Sequence, residues 1–189
     1  MAKSDSMKKE INKFLYFYRF LATVFIMSVS FIRIDDRMIH GQTCTRWARE
    51  YPCDGLIAVN DKAAKSDVLK AAYKAASGKK TFVWTVEDFK KKAQKVLDSD
   101  TRYFLITKDP IDMRKILVEQ GFKCGITKVI VGPCNDREGS TTLGNNQSIT
   151  QEEAQALEDI SKAGYSIEFS LLPDVSIGNW DKFKGKFGF

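Results

Sequence analysis

Residues 33–42 read RIDDRMIHGQ and contain the only histidine of the 189-residue chain, His40. Arg33, Asp35, Asp36 and Arg37 precede it closely, and Gly41 and Gln42 follow. A neutral imidazole is a nitrogen nucleophile. Two guanidinium groups beside it suit an anion, phosphate above all, because their planar forks bind its oxygens in pairs. Gly41 leaves the backbone room to approach a ligand. Main-chain N–H groups of a helix beginning near Gly41 would add donors and a favourable dipole. One of the two aspartates can hold the imidazole by its other N–H and fix the tautomer. These parts make a histidine able to accept a phosphoryl group and a cradle able to stabilise it.

Two other readings of the loop stay open at this level. The four charges can satisfy one another as a structural ion-pair cluster, with His40 a spectator. His40 can also act as the general base of a hydrolase, although the chain has neither a G-x-S-x-G pattern nor a second histidine. A Walker-type phosphate loop is absent, since GITKVIVGPC lacks the Gly-Lys-Ser/Thr ending.

The elements around the loop follow from hydropathy patterning. SVSFIRID (28–35), GLIAVN (55–60), TFVWTV (81–86), RYFLIT (102–107), KVIVGP (128–133) and SIEFSLLP (166–173) read as strands. GQTCTRWARE (41–50) reads as a short helix. Ser66 caps a helix that ends at Gly78, and Thr85 caps one with Asp88 at its third position. Asp109-Pro110 starts another, which ends at Gly121. Thr150 with Glu153 forms a capping box for a helix that ends at Gly164. Strand alternating with helix predicts an α/β fold, a single open, mostly parallel sheet with helices on both faces. Ligands bind such sheets outside the carboxyl ends of the strands. The His40 loop lies there, and Asn60, Asp61 and the 107–109 segment are candidates for the same rim. Residues 135–148 are rich in Asn, Gly and Ser and predict an exposed loop or hairpin.

Composition narrows the class. Hydrophobic residues at 43% and charged residues at 29% describe a soluble globular chain. The net charge of +6 fits an anionic ligand as well as nucleic acid, but no nucleic-acid module signature is present and the lysines are spread over helix faces. The four cysteines lack C-x-x-C spacing, so reduced thiols are expected, with no metal set and no cofactor motif. Residues 1–26 stand apart, with five basic and two acidic side chains and an apolar run interrupted by Arg19. They are read as an extension upstream of a natural start at Met27 or as an amphipathic accessory helix, in preference to a signal peptide. The domain is then 27–189.

The decapeptide resembles the phosphorylation-site motif of the IIB components of the mannose/fructose/sorbose-type sugar phosphotransferase system (PTS). The usual form is R-I-D-(E or D)-R-L-I-H-G-Q-V with a Trp a few residues on. Here Met38 replaces Leu, Thr43 replaces Val, and Trp47 is in place. LIAVNDKAAKSD and VIVGPCNDREGSTTLGNNQSITQEE resemble later parts of the family, so the likeness runs from about 28 to about 180. The resemblance implies a cytoplasmic phosphocarrier that meets the inner face of the membrane through its partners. His40 would accept a phosphoryl group on Nδ1 from a phosphohistidine of the IIA component. It would pass the group to a sugar translocated by the membrane IIC and IID components. Asp35 would orient the imidazole, and Arg33, Arg37, Gly41 and Gln42 would bind phosphate. Trp47 is read as a core or partner-docking anchor. About seven strands are implied, the seventh from the 135–148 region. A phosphorylation-dependent regulatory module of the same fold is the alternative, and homo-oligomerisation is left open.

Overall fold

A computed structural model describes residues 27–189, so the expectation for residues 1–26 lies outside the described residues. Its central sheet has the strand order β3-β2-β4-β1-β5-β8-β9. These strands are β1 (Val29–Ile34), β2 (Gly55–Val59), β3 (Lys80–Trp84), β4 (Tyr103–Thr107), β5 (Lys128–Val131), β8 (Ser166–Leu172) and β9 (Val175–Asn179). All neighbours pair in parallel except β8 with β9. β2 and β4 are buried along their whole length, as expected for parallel strands covered on both faces.

The seventh strand is not the expected one. Residues from the 135–148 region and just beyond form a separate antiparallel hairpin, β6 (Ser140–Gly144) with β7 (Gln147–Thr150). The strand that completes the sheet is β9, which folds back on β8 across Pro173-Asp174. The polar, partly exposed sequence of β6 has no apolar face to bury in a large sheet, whereas a Pro-Asp pair between two extended runs suits a tight turn.

Among the described residues, seven helical segments complete the fold. α1 runs in wide π register through Thr43–Trp47 and then as Ala48–Glu50. α2 is Asp61–Ala64, α3 Asp67–Ser77 and α4 Val86–Leu97. α5 is Pro110–Arg114 with a π continuation Lys115–Glu119, α6 is Gln151–Lys162, and α7 is Trp180–Phe183 with a 3-10 turn Lys184–Phe187. The capping residues read from the sequence, Ser66, Thr85, Asp109 and Thr150, each accept a hydrogen bond from the first turn, and Thr150 with Glu153 closes a full capping box.

Period-2 alternation divides β1 between two cores. Ile32 and Ile34 join the larger core, with Phe89 of α4, Met113 of α5 and Leu157 of α6. Phe31 joins the smaller one, with Trp47 and Ala48 of α1 and Ala63 of α2. The chain therefore leaves β1 toward one face and leaves the adjacent β4 toward the other. Their carboxyl ends open the crevice where open α/β sheets bind ligands. Among the described residues no helix is long and apolar enough to cross a membrane.

Candidate active site

The loop between β1 and α1 lies at this crevice and is built around Asp35, which is fully buried. Its backbone nitrogen donates to Thr107 O of β4 at 3.0 Å, and its carbonyl accepts from Met38 N at 2.8 Å. Met38 has φ 55°, the left-handed region, and its side chain is buried. A non-glycine residue pays about 1 kcal/mol for that conformation. The strain is held by burial of Met38 and places Ile39 and His40 at the lip of the crevice.

Besides His40, the groups that hydrogen-bond the Asp35 carboxyl among the described residues are donors. Oδ2 accepts from Arg33 Nε at 3.1 Å and faces His40 Nε2 at 3.2 Å. Oδ1 accepts from Arg37 N at 3.1 Å and lies 3.9 Å from Arg37 Nε. A carboxylate only accepts, so the hydrogen of the neutral imidazole sits on Nε2. Nδ1 then carries the free lone pair, and it has no hydrogen-bond partner among the described residues. The His40 side chain is 20% exposed.

Thr43 holds the main chain of His40. Its hydroxyl accepts from His40 N at 2.9 Å and donates to His40 O at 2.7 Å. Thr45 Oγ1 likewise donates to Gly41 O at 2.7 Å. These hydroxyls compete for carbonyls that a regular helix uses, and α1 is in π register here. Thr43→Val keeps the shape and removes both bonds. It should lower stability by about 1–2 kcal/mol in urea unfolding, while any reaction at His40 persists, because the motif this loop resembles carries Val there.

The two arginines have different environments. Arg37 is 46% exposed, and its Nη2 donates to Gln42 Oε1 at 3.2 Å. Arg37 and Gln42 also line an open recess of about 270 Å³ with Asn135, Asn146 and Leu172. An added Cβ at the exposed Gly41 would meet nothing within 4 Å, so the space before His40 is open there too. Arg33 departs from the expectation of a phosphate ligand. It is 1% exposed, with Nη1 donating to Ser170 O at 3.1 Å and Nη2 to Leu171 O at 3.4 Å. Burial pushes its guanidinium down from the ordinary range, opposed by the Asp35 charge. It sits on the same face of β1 as Phe31, two residues away, and so faces inward.

The rim candidates Asn60 and Asp61 are occupied elsewhere. Asn60 Oδ1 caps α2 at Ala63 N, and its Nδ2 donates to Asp112 Oδ2 at 3.2 Å. Asp61 Oδ1 accepts from Val86 N at 2.9 Å. Neither bonds to the His40 loop among the described residues; their roles are caps and turns. Asp36 staples the loop to the segment after β5, its Oδ2 accepting from Asn135 N at 2.9 Å. Burial pushes the thiols of Cys44 and Cys134 up, which leaves them protonated and poor nucleophiles. The imidazole of His40 is the candidate nucleophile of the crevice.

Comparisons with known proteins bear on the family of the chain. The family model described as PTS system sorbose subfamily IIB component matches residues 29–188. The mannose-specific EIIAB component of Escherichia coli (strain K12) is 32% identical over 144 residues, which is 75% of this chain and 44% of that protein. This chain thus spans less than half the length of that relative. The fructose-specific EIIB component of Bacillus subtilis is 29% identical over 78% of this chain and 90% of its own. Among solved structures, the IIBSor domain of the sorbose permease from Klebsiella pneumoniae superposes with a TM-score of 0.75 at 26% identity, covering 83% of this chain and 96% of that one.

Proposed function

This chain belongs to the sorbose-subfamily IIB components of the sugar phosphotransferase system, and on that premise we propose that His40 is a phosphoryl carrier whose acceptor atom is Nδ1. The observation that carries the proposal is the Asp35 contact at Nε2, which leaves the Nδ1 lone pair without a partner among the described residues. Nδ1 attacks the phosphorus of a phosphohistidine on the IIA component. The new P–N bond forms as the donor's P–N bond breaks, and the donor ring leaves with its electron pair. The positive charge that develops on the His40 ring is stabilised by the Asp35 carboxylate. A sugar hydroxyl then attacks the phosphorus, and the P–N bond to His40 breaks as the P–O bond forms. The hydroxyl proton passes to a base or solvent. Arg37 and Gln42 supply donors to the phosphoryl oxygens, and Gly41 leaves them room.

The donor class rests on the relatives named EIIAB, whose name joins a IIA to a IIB part. The sugar and the membrane IIC and IID components belong to the same reading, as do a cytoplasmic location and a carrier unit of residues 27–189 with 1–26 as an extension. The test is intact-mass analysis after incubation with phosphoenolpyruvate, the two general carrier proteins and a IIA component. One acid-labile phosphoryl group is expected, and it should be lost when sugar and membranes bearing IIC and IID are added. A phosphoprotein that these membranes never discharge would favour the regulatory alternative. No phosphorylation by several active IIA proteins would sink the carrier reading.

Arg37→Ala checks the role of the exposed arginine. Its guanidinium is outside the core, so stability should change by no more than about 0.5 kcal/mol. The rate of phosphorylation should fall roughly 10- to 100-fold for loss of a charge-assisted phosphate contact. A rate within twofold of wild type would remove Arg37 from the phosphate site.

A further inference from the structure

The buried arginine raises the question of what holds it. Arg33 lies on a flat wall and under a missing one. Its Cζ is 4.4 Å from the centroid of the Trp47 ring. Trp47 is itself pinned, with Nε1 donating to Leu171 O at 3.2 Å, the carbonyl that also accepts from Arg33 Nη2. On another side stands Gly132, just past the end of β5. A Cβ built there would lie 2.5 Å from Arg33 Cζ and closer still to Nη2. Backbone conformation does not require this glycine, since its φ is not among the positive values of the chain. Nor can its backbone easily retreat, because Gly132 N donates to Ile34 O of β1 at 2.8 Å. The absent side chain is therefore the space the guanidinium occupies.

We propose that Gly132 and Trp47 are positioning residues for His40: they form the slot that holds Arg33 against Asp35, and through that pair they keep the His40 hydrogen on Nε2 and the lone pair on Nδ1. The inference rests on the reading of His40 as phosphoryl acceptor and adds what sets the tautomer. A Cβ at residue 132 pushes the guanidinium off its acceptors at Ser170 O, Leu171 O and Asp35 Oδ2. Asp35, no longer clamped by Arg33 Nε, then turns away from His40 Nε2. The orientation of the nucleophile is thus set by main-chain carbonyls of β8, two strands away from β1 in the sheet.

The test compares Gly132→Ala, Arg33→Lys and the double variant in full-length protein. Two quantities are read: the tautomer of the single histidine, from ring nitrogen shifts without any phosphoryl donor, and the phosphorylation rate at saturating IIA. Lysine lacks the planar fork and leaves the volume a Cβ needs. Gly132→Ala alone should lose the single Nε2–H form and slow phosphorylation at least tenfold. In the Arg33→Lys background the same change should cost less than twofold. If Gly132→Ala alone does not fold but the double variant does, the clash with Arg33 is again the cause. Equal losses in both backgrounds, failure of both to fold, or an unchanged tautomer and rate in Gly132→Ala would overturn the proposal. Trp47→Phe, which keeps the ring stack but loses the bond to Leu171 O, should show the same tautomer change more weakly. A wild-type protein that no IIA phosphorylates would defeat the carrier reading, while the tautomer comparison would still decide the positioning.

Discussion

His40→Ala should fold like wild type and accept no phosphoryl group. The first half follows from how little the fold asks of this side chain. The ring is partly exposed and, among the described residues, makes one side-chain bond, to Asp35. Removing it leaves Asp35 with the Arg33 Nε and Arg37 N donors. The carboxylate stays compensated, and the change in stability should be within about 1 kcal/mol. The second half follows from the composition. The chain has one histidine, so no other imidazole can take over. Thiols near the crevice are held protonated by burial. Intact mass after incubation with phosphoenolpyruvate, the general carriers and IIA should therefore show one acid-labile phosphoryl group on wild type and none on the variant. A phosphoryl group retained on a folded His40→Ala protein would place the acceptor elsewhere and withdraw the mechanism.

Much of this arrangement was legible in the sequence because it depends on local rules. The continuous apolar run of β2 and the apolar stretches of β4 and β5 mark strands buried on both faces, and the caps at Ser66, Thr85, Asp109 and Thr150 lie where the residue types put them. The placing of the His40 loop at the carboxyl edge follows from the alternation of strand and helix alone. β9 was harder to see, because VSIGN is short, carries a glycine and is only partly buried, and its pairing depends on the Pro173-Asp174 turn.

At the site, the residue whose surroundings were least legible is Arg33. Charge counting treats an arginine as a surface group, whereas strand alternation in F-I-R-I-D puts Phe31, Arg33 and Asp35 on one face. That signal was available. The groups that make burial tolerable were not, since two are main-chain carbonyls some 137 residues away and one is the absence of a side chain at Gly132. Backbone acceptors have no residue type, so composition cannot announce them. Thr43 left a weak trace: a hydroxyl three residues after His40 can bond back to the turn, but the family motif carries Val there. Asn60 and Asp61 are the opposite case. They lie on the right edge of the sheet, yet Asn-Asp after a strand is also the ordinary chemistry of a cap and turn.

Asp35→Asn should be the most damaging single change in the loop, and it should harm stability and chemistry through different contacts. The carboxylate is fully buried and is the only anion that hydrogen-bonds the buried Arg33 among the described residues. An amide neutralises it and leaves a guanidinium charge uncompensated in the core, at a cost of about 3–5 kcal/mol. That is a large part of the stability of an ordinary domain, so the unfolding midpoint in urea should drop sharply. The chemical effect concerns His40. An amide nitrogen turned toward the ring donates to Nε2, which favours the tautomer with hydrogen on Nδ1 and removes the nucleophilic lone pair. Even with the amide oxygen toward the ring, no negative charge remains to stabilise the developing imidazolium. Phosphorylation at a temperature where the variant is folded should fall by on the order of 100-fold or more. The two effects can be separated by replacing the ion pair with apolar side chains, as in Arg33→Met with Asp35→Leu. That pair of changes removes both charges, so it should recover much of the lost stability while phosphorylation stays low. Recovery of both together would mean that Asp35 serves only the fold, and that His40 needs no partner at Nε2.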